Sequence, residues 1–311
     1  MHRKQLRRNA LSLSLVGAAL LAGATVGLQS PAGATAPATP VPAPTGDPAP
    51  LLWFDKPNLT AIGLTTNGRL VRFQTSDSRS LTTLGPVTGL TADTALVGID
   101  YRVQNGRLYG VGNAGGIYVL STANAVATKV SQLTVPLVGT RFGVDFNPAA
   151  NRLRVVSDVG ENLRHNIDDP VGTPAAGVTV ADTPLTFPPS QLFATGVSAV
   201  AYTNNDLDPS TATTLFDIDT DLDRVAVQSP ANNGFLAPTG NLGPAVDPGA
   251  GFDIYSTISN GRSVGSSGYA ALSVGGVHTL YSVELLSGRA QSLGRFPVNS
   301  QVFDLAFPLN Q

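Results

Sequence analysis

Four aspartates close related strings in this 311-residue chain: Gly98-Ile99-Asp100, Gly143-Val144-Asp145, Gly251-Phe252-Asp253 and the degenerate Val302-Phe303-Asp304. A further copy, Gly196-Val197-Ser198, carries serine in place of the acid, and successive copies start 45, 53, 55 and 51 residues apart. If the copies occupy equivalent positions in a repeating architecture, their side chains converge on one axis. Converging carboxylates suit Ca²⁺, a hard cation that takes carboxylate and carbonyl oxygens. Asp100, Asp145, Asp253 and Asp304 are therefore candidate calcium ligands, and a metal there would serve a hydrolase of the lactonase or esterase type. The competing expectation is structural, with each carboxylate accepting backbone N–H groups and recurring because the unit recurs. Strand alternation can also turn such carboxylates away from one another.

A second constellation lies between Arg141 and Asp169, where nine of 29 residues are charged against 13% for the whole chain. Within it, Arg152, Arg154 and Arg164 offer planar guanidinium forks, and Asp158, Glu161 and Asn162 offer acceptors. This mixture fits an anionic or polyhydroxylated ligand. It fits equally a network of Arg–Asp bridges between packed elements.

Other chemistries are excluded or weakened by residue type. Only His165 and His278 follow the N-terminal segment, which rules out a histidine-rich zinc site. No Gly-x-Ser-x-Gly elbow presents a serine nucleophile, so both histidines read as ordinary surface residues near loops. The run Asp217-Ile218-Asp219-Thr220-Asp221-Leu222-Asp223 imitates the start of a calcium loop but lacks the glycine and the distant glutamate of an EF-hand. A strand entering a turn explains it better. Trp53 is the single tryptophan and aromatic residues make up 6%, which gives little support to carbohydrate stacking.

The elements that position these residues are strands. Thirty-three Gly, 23 Pro, few charges and 42% hydrophobic residues describe a core-forming chain without long amphipathic helices. Each triplet opens a run of β-type residues and a hairpin. Asn105-Gly106 and Asn67-Gly68 have the composition of two-residue type I′ turns. Second hairpins start at Ile117-Tyr118-Val119-Leu120, Leu215-Phe216-Asp217-Ile218 and Leu280-Tyr281-Ser282-Val283. Four short strands in units of about 40 to 55 residues predict a β-propeller. Five blades are expected, starting near Ala61, Val97, Phe142, Val197 and Gly251, with Val302–Phe307 returning to complete the first. Six blades, with extra strands inside Val159–Leu192, and a two-sheet β-sandwich are the alternatives.

Three strings together are similar to a bacterial family, domain of unknown function 4394. They are Leu153-Arg154-Val155-Val156-Ser157-Asp158 with Glu161-Asn162-Leu163-Arg164, Ala201-Tyr202-Thr203-Asn204-Asn205, and Thr214-Leu215-Phe216-Asp217-Ile218-Asp219-Thr220. The resemblance covers about residues 59 to 307 and implies a secreted or cell-surface propeller with no assigned activity. It supplies no catalytic residues. Asn204 and Asn205, in the second string, join the candidate ligand-binding set.

The N-terminus reads as an export signal over residues 1–34: Arg3, Lys4, Arg7 and Arg8, an apolar stretch from Ala10 to Leu28, and the small-residue site Ala32-Gly33-Ala34. A retained membrane anchor and twin-arginine export are the alternatives. Residues 35–50 form a Pro-rich spacer, and the folded domain is expected over 51–311. Removing the signal takes four basic residues and no acidic ones, shifting the formal charge from −2 to −6. That balance, with Lys56 and Lys129 as the remaining lysines, excludes nucleic-acid binding and a polybasic membrane surface. The expectation is a secreted or cell-surface monomeric propeller that binds rather than catalyses, with a calcium-dependent lactonase or esterase as the alternative. The propeller presents a rigid face to a protein, glycan or small ligand, with no cofactor unless the aspartates hold calcium.

Overall fold

The computed structural model describes residues 56–311. The expected signal, the spacer and Trp53 lie outside the described residues. Twenty strands form five four-stranded antiparallel sheets. The first run is β1 (Thr60–Thr65), β2 (Arg69–Gln74) and β3 (Asp77–Pro86). The second sheet is β4 (Leu96–Arg102), β5 (Arg107–Gly112), β6 (Gly116–Leu120) and β7 (Ala127–Gln132). The third is β8 (Phe142–Asn147), β9 (Arg152–Ser157), β10 (Asn162–His165) and β11 (Thr179–Ala181). The fourth is β12 (Val197–Tyr202), β13 (Leu215–Asp219), β14 (Arg224–Gln228) and β15 (Leu236–Asn241). The fifth is β16 (Ala250–Ser259), β17 (Arg262–Val274), β18 (Val277–Val283) and β19 (Ala290–Arg295).

The last strand, β20 (Val302–Ala306), pairs with β1 and becomes the innermost strand of the first sheet, whose order is β20-β1-β2-β3. Inner strands touch around a closed ring, β20 to β4 to β8 to β12 to β16 and back to β20. This is a five-bladed β-propeller, closed by joining the first and last described strands in one blade so that β1 has no open edge. The stretch Val159–Leu192 holds β10, β11 and connecting loops, not a sixth blade. Among the described residues no helix is long and apolar enough to cross a membrane.

Five hydrophobic clusters replace a single core, one between each pair of neighbouring blades. Alternation along the strands builds them: Ala61 and Val71 face the cluster shared with the fifth blade, whereas Ile62, Leu64 and Leu70 face the second. Likewise Ala199 and Ala201 face the fifth blade, and Val200 and Tyr202 face the third. Strands buried on both faces read as continuous apolar runs, which is why the blades look alike in sequence.

The two Asn-Gly hairpins correct the expected turn type. Gly68 and Gly106 adopt positive φ (71° and 64°), but Asn67 and Asn105 do not. The Gly68 N–H donates to Thr65 O at 2.9 Å, and the Gly106 N–H donates to Arg102 O at 2.9 Å. These are three- and four-residue loops ending on a left-handed glycine, not two-residue type I′ turns.

Candidate functional site

The inner strands meet the axis as stacked layers. Gly98, Gly143, Ala199, Gly251 and Asp304 form one layer, and the glycines are there because the strands nearly touch. A Cβ on Gly143 would stand 2.7 Å from the Cα of Ala199, and one on Gly251 would stand 2.4 Å from the Cα of Asp304. Two residues further along each strand lie Asp100, Asp145, Ala201, Asp253 and Ala306. The register follows from the bonds: Asp100 accepts the Phe146 N–H (2.8 Å), Asp145 the Tyr202 N–H (3.1 Å) and Asp253 the Phe307 N–H (2.7 Å). Asp304 accepts the Ile99 N–H at 2.7 Å, one layer higher.

Two of the sequence copies are therefore out of register. Ala199-Val200-Ala201 occupies the place expected for Gly196-Val197-Ser198, and Asp304-Leu305-Ala306 the place expected for Val302-Phe303-Asp304. Alanine at the acid position hid the alignment in both blades. At the junction of the fourth and fifth blades, where Ala201 offers no carboxylate, Asn205 makes the stitch. Its backbone N–H donates to Ser256 Oγ (2.9 Å) and its side-chain amide to Ile254 O (3.2 Å).

One oxygen each of Asp100, Asp145 and Asp253 lies within 4.8 Å of the others, so these three could hold one cation; Asp304 stands outside that group. All four are buried. Burial, reinforced by the neighbouring carboxylates, pushes Asp100 and Asp145 well above the usual carboxylate range. Burial does the same to Asp304, with Asp253 adding to it, and burial raises Asp253 to about 6. Each of the four carboxyls accepts a backbone N–H of the neighbouring blade and so braces the ring.

Above these layers the axis opens into a cavity of about 570 Å³. One residue of each inner strand lines it: Val97, Phe142, Ser198, Ala250 and Phe303, each immediately before the glycine layer. Leu96 extends the apolar wall, and Thr140, Arg141, Asp247, Ser273 and His278 supply polar groups. Arg141 leaves the third blade and reaches the loop before β16, where Nε donates to Pro248 O at 3.3 Å. Gly249, at φ 97°, leaves room for the arginine, since a Cβ there would sit 2.7 Å from Arg141 Cδ. Asp247 accepts Ser273 Oγ–H and the Gly276 N–H, both at 2.7 Å, and these bonds hold its carboxyl below the usual range. Burial lowers the His278 imidazole, and its Nδ1 has no partner.

Apart from Arg141 and Asp145 the charged segment is placed elsewhere, and of its arginines Arg154 crosses from the third blade to the fourth. Arg154 is 2% exposed and fans out to Tyr202 Oη (3.3 Å), Asn162 Oδ1 (2.6 Å), Asp182 Oδ2 (2.8 Å) and Asn232 Oδ1 (2.7 Å). Arg164 grips the same Asp182. Asn162 also donates to Thr183 O and Ala231 O. Arg152 is spent on Asp169 and the carbonyls of Ala150, Asn151, Val171 and Thr173. These three arginines, with Asn147, Tyr202 and Asn232, border a cavity of only about 70 Å³. Asp158 accepts the Thr140 N–H and hydroxyl, and Glu161 the Val138 N–H. Asn204 adopts φ 60° and bonds Ala212 O within its own turn. His165, expected at the surface, is instead buried between Ser131 and Thr179.

Of the eight residues expected to bind a ligand, three thus meet at the small lateral cavity and none lines the axial mouth. Arg141, Asp247 and His278 were missed as a group. Arg141 was visible only as one charge in a run, and His278 as a loop histidine. The available signal was position: Arg141 stands two residues before a repeat glycine, where side chains meet the axis.

A family model described as Domain of unknown function (DUF4394) matches residues 69–306. No curated protein sequence matches the chain. Among solved structures it is similar to a protein of unknown function from Bacteroides thetaiotaomicron, with 14% identity and TM-score 0.44, covering 81% of this chain and 65% of that one. An auxiliary nutrient binding protein from Bacteroides ovatus gives 12% identity and TM-score 0.38, covering 74% and 57%. A Lactobacillus plantarum protein gives 15% and 0.34, covering 81% and 99%. The chain spans less than two thirds of the length of the first two.

Proposed function

The chain belongs to the DUF4394 family, whose description carries no activity, and from that premise we propose an exported, non-catalytic β-propeller that receives a small ligand in its axial mouth. The observation that carries this reading is the 570 Å³ cavity, walled by apolar residues with a few convergent polar groups. That size and lining are typical of small-molecule sites. Export rests on the signal-like composition of residues 1–34. The main candidates for acid–base or metal chemistry are the ring aspartates, and one oxygen of each accepts a backbone N–H of the neighbouring blade.

The test is ligand-observed NMR with a mixed library of small acids, bases and neutral compounds, on the wild-type protein and on Val97→Trp, which fills the mouth. Binders lost in Val97→Trp, with the melting temperature retained, support the reading. Binders that persist in that variant, or no binder at all, overturn it.

A second reading is a calcium-dependent hydrolase, favoured by the three carboxylate oxygens within 4.8 Å. Calorimetric titration with Ca²⁺, using Asp100→Asn and Asp145→Asn as controls, tests it. Tight binding abolished in both variants, together with cleavage of a lactone or ester, would replace the binding module by the enzyme.

A further inference from the structure

Resting on the mouth as a binding site, we infer that its ligand is a small organic anion, a carboxylate or chemically similar head on a hydrocarbon body, whose charged end is held by Arg141. Among the described residues six guanidinium groups are answered by carboxylates, Arg102 by Asp168, Arg152 by Asp169, Arg154 and Arg164 by Asp182, Arg224 by Asp219 and Arg262 by Asp208, and none of the six lines the mouth. Arg141, which does line it, has no such partner among the described residues. Its two hydrogen bonds go to neutral carbonyls, Pro248 O and Thr140 O, both at a long 3.3 Å, and Nη2 bonds nothing.

The one carboxylate on the same wall does not answer it. Asp247 is turned into Ser273 Oγ and the Gly276 N–H. A guanidinium presents five N–H donors in a planar fork, so Arg141 keeps unfilled donors beside the cavity, while Asp247, bonded to neutral donors, adds its own negative charge to the wall. An acceptor carrying negative charge fills the free donors of Arg141. The rest of the ligand is specified by Leu96, Val97, Phe142 and Phe303, which offer no hydrogen bonds and reward burial of hydrocarbon. Gly249 belongs to the same design, because any side chain there would displace the arginine from its position.

The experiment compares two fluorescent probes with nearly the same ring system, 8-anilinonaphthalene-1-sulfonate and the uncharged N-phenyl-1-naphthylamine. Both are titrated into wild type and Arg141→Gln, with Val97→Trp marking the mouth and thermal melting checking the fold. Arg141 is solvent-exposed, so its replacement leaves the blades intact. The expected result is saturable sulfonate binding that octanoate displaces and Val97→Trp removes. Arg141→Gln should weaken it by about tenfold, equal to about 1.4 kcal/mol, and leave the uncharged probe within about twofold, because hydrocarbon contacts are untouched. Equal binding of both probes, unaffected by Arg141→Gln but lost in Val97→Trp, overturns the anion assignment and leaves the mouth as a site. Binding of either probe that survives Val97→Trp, or no binding, overturns both.

Discussion

Replacing Asp253 with asparagine should make the protein more stable at alkaline pH and slightly less stable in acid. In the folded state burial raises this carboxyl from 3.8 to about 6. The folded state therefore holds a proton that the unfolded chain has released, and stability falls as pH rises from about 4 through about 6. At 1.36 kcal/mol per pH unit, the group costs about 3 kcal/mol by neutral pH. Asparagine stays neutral and keeps an acceptor for the Phe307 N–H, but gives up the second acceptor that serves the Ile254 N–H at 2.6 Å. That loss costs about 1 kcal/mol at every pH. The expected balance is a gain of about 2 kcal/mol near pH 8 and a loss of about 1 kcal/mol near pH 4. Relief of charge on Asp100 and Asp145, both raised in part by Asp253, adds to the alkaline gain. Urea denaturation of both proteins across this range measures the difference, and surface ion pairs common to both cancel. Parallel stability curves, or an Asp253→Asn variant that is less stable near pH 8, would refute the reasoning.

Three further outcomes follow from the packing. Arg154→Met removes a guanidinium that satisfies Asn162, Asp182, Tyr202 and Asn232 at once, and denaturation should show a loss of about 3 kcal/mol or more. Asp217, fully buried on the fourth blade with neither carboxylate oxygen hydrogen-bonded and its pKa raised by burial, should tolerate Asp217→Asn with unchanged or higher stability at neutral pH. Gly143→Val forces a side chain against the backbone of Ala199 and should lower the melting temperature sharply or abolish folding, whereas Gly68→Ala, with open space around it, should show only the cost of its positive φ.

The blade count and closure were legible because the Gly-x-Asp strings mark the point where inner strands approach most closely, and a Cβ on Gly98, Gly143 or Gly251 would collide with the neighbouring strand. Where alanine stands in for the acid, at Ala201 and Ala306, nothing in residue type signals the layer, so the alignment slipped by three and two residues. The turn geometry was misread for a related reason: Asn-Gly suits both a type I′ turn and a longer loop ending on a left-handed glycine, and strand register decides between them. The charged segment was read as a binding surface or as a network of Arg–Asp bridges, and the structure shows the bridges: Arg154 crosses to the fourth blade, whereas Arg152 and Arg164 find Asp169 and Asp182 within the third. Long side chains can be buried when carboxylates and carbonyls saturate them, a condition set by Asp182 and Asn232 from distant loops. The axial mouth was invisible because its wall takes one ordinary residue from each of five strands.

The most direct measurement is amide chemical-shift mapping of the isotopically labelled protein during titration with octanoate. The account expects the shifts to gather on Val97, Phe142, Ser198, Gly249 and Phe303 around the axis. Shifts confined to Arg154, Arg164 and Asn232 at the lateral cavity, or no saturable shifts, would contradict it.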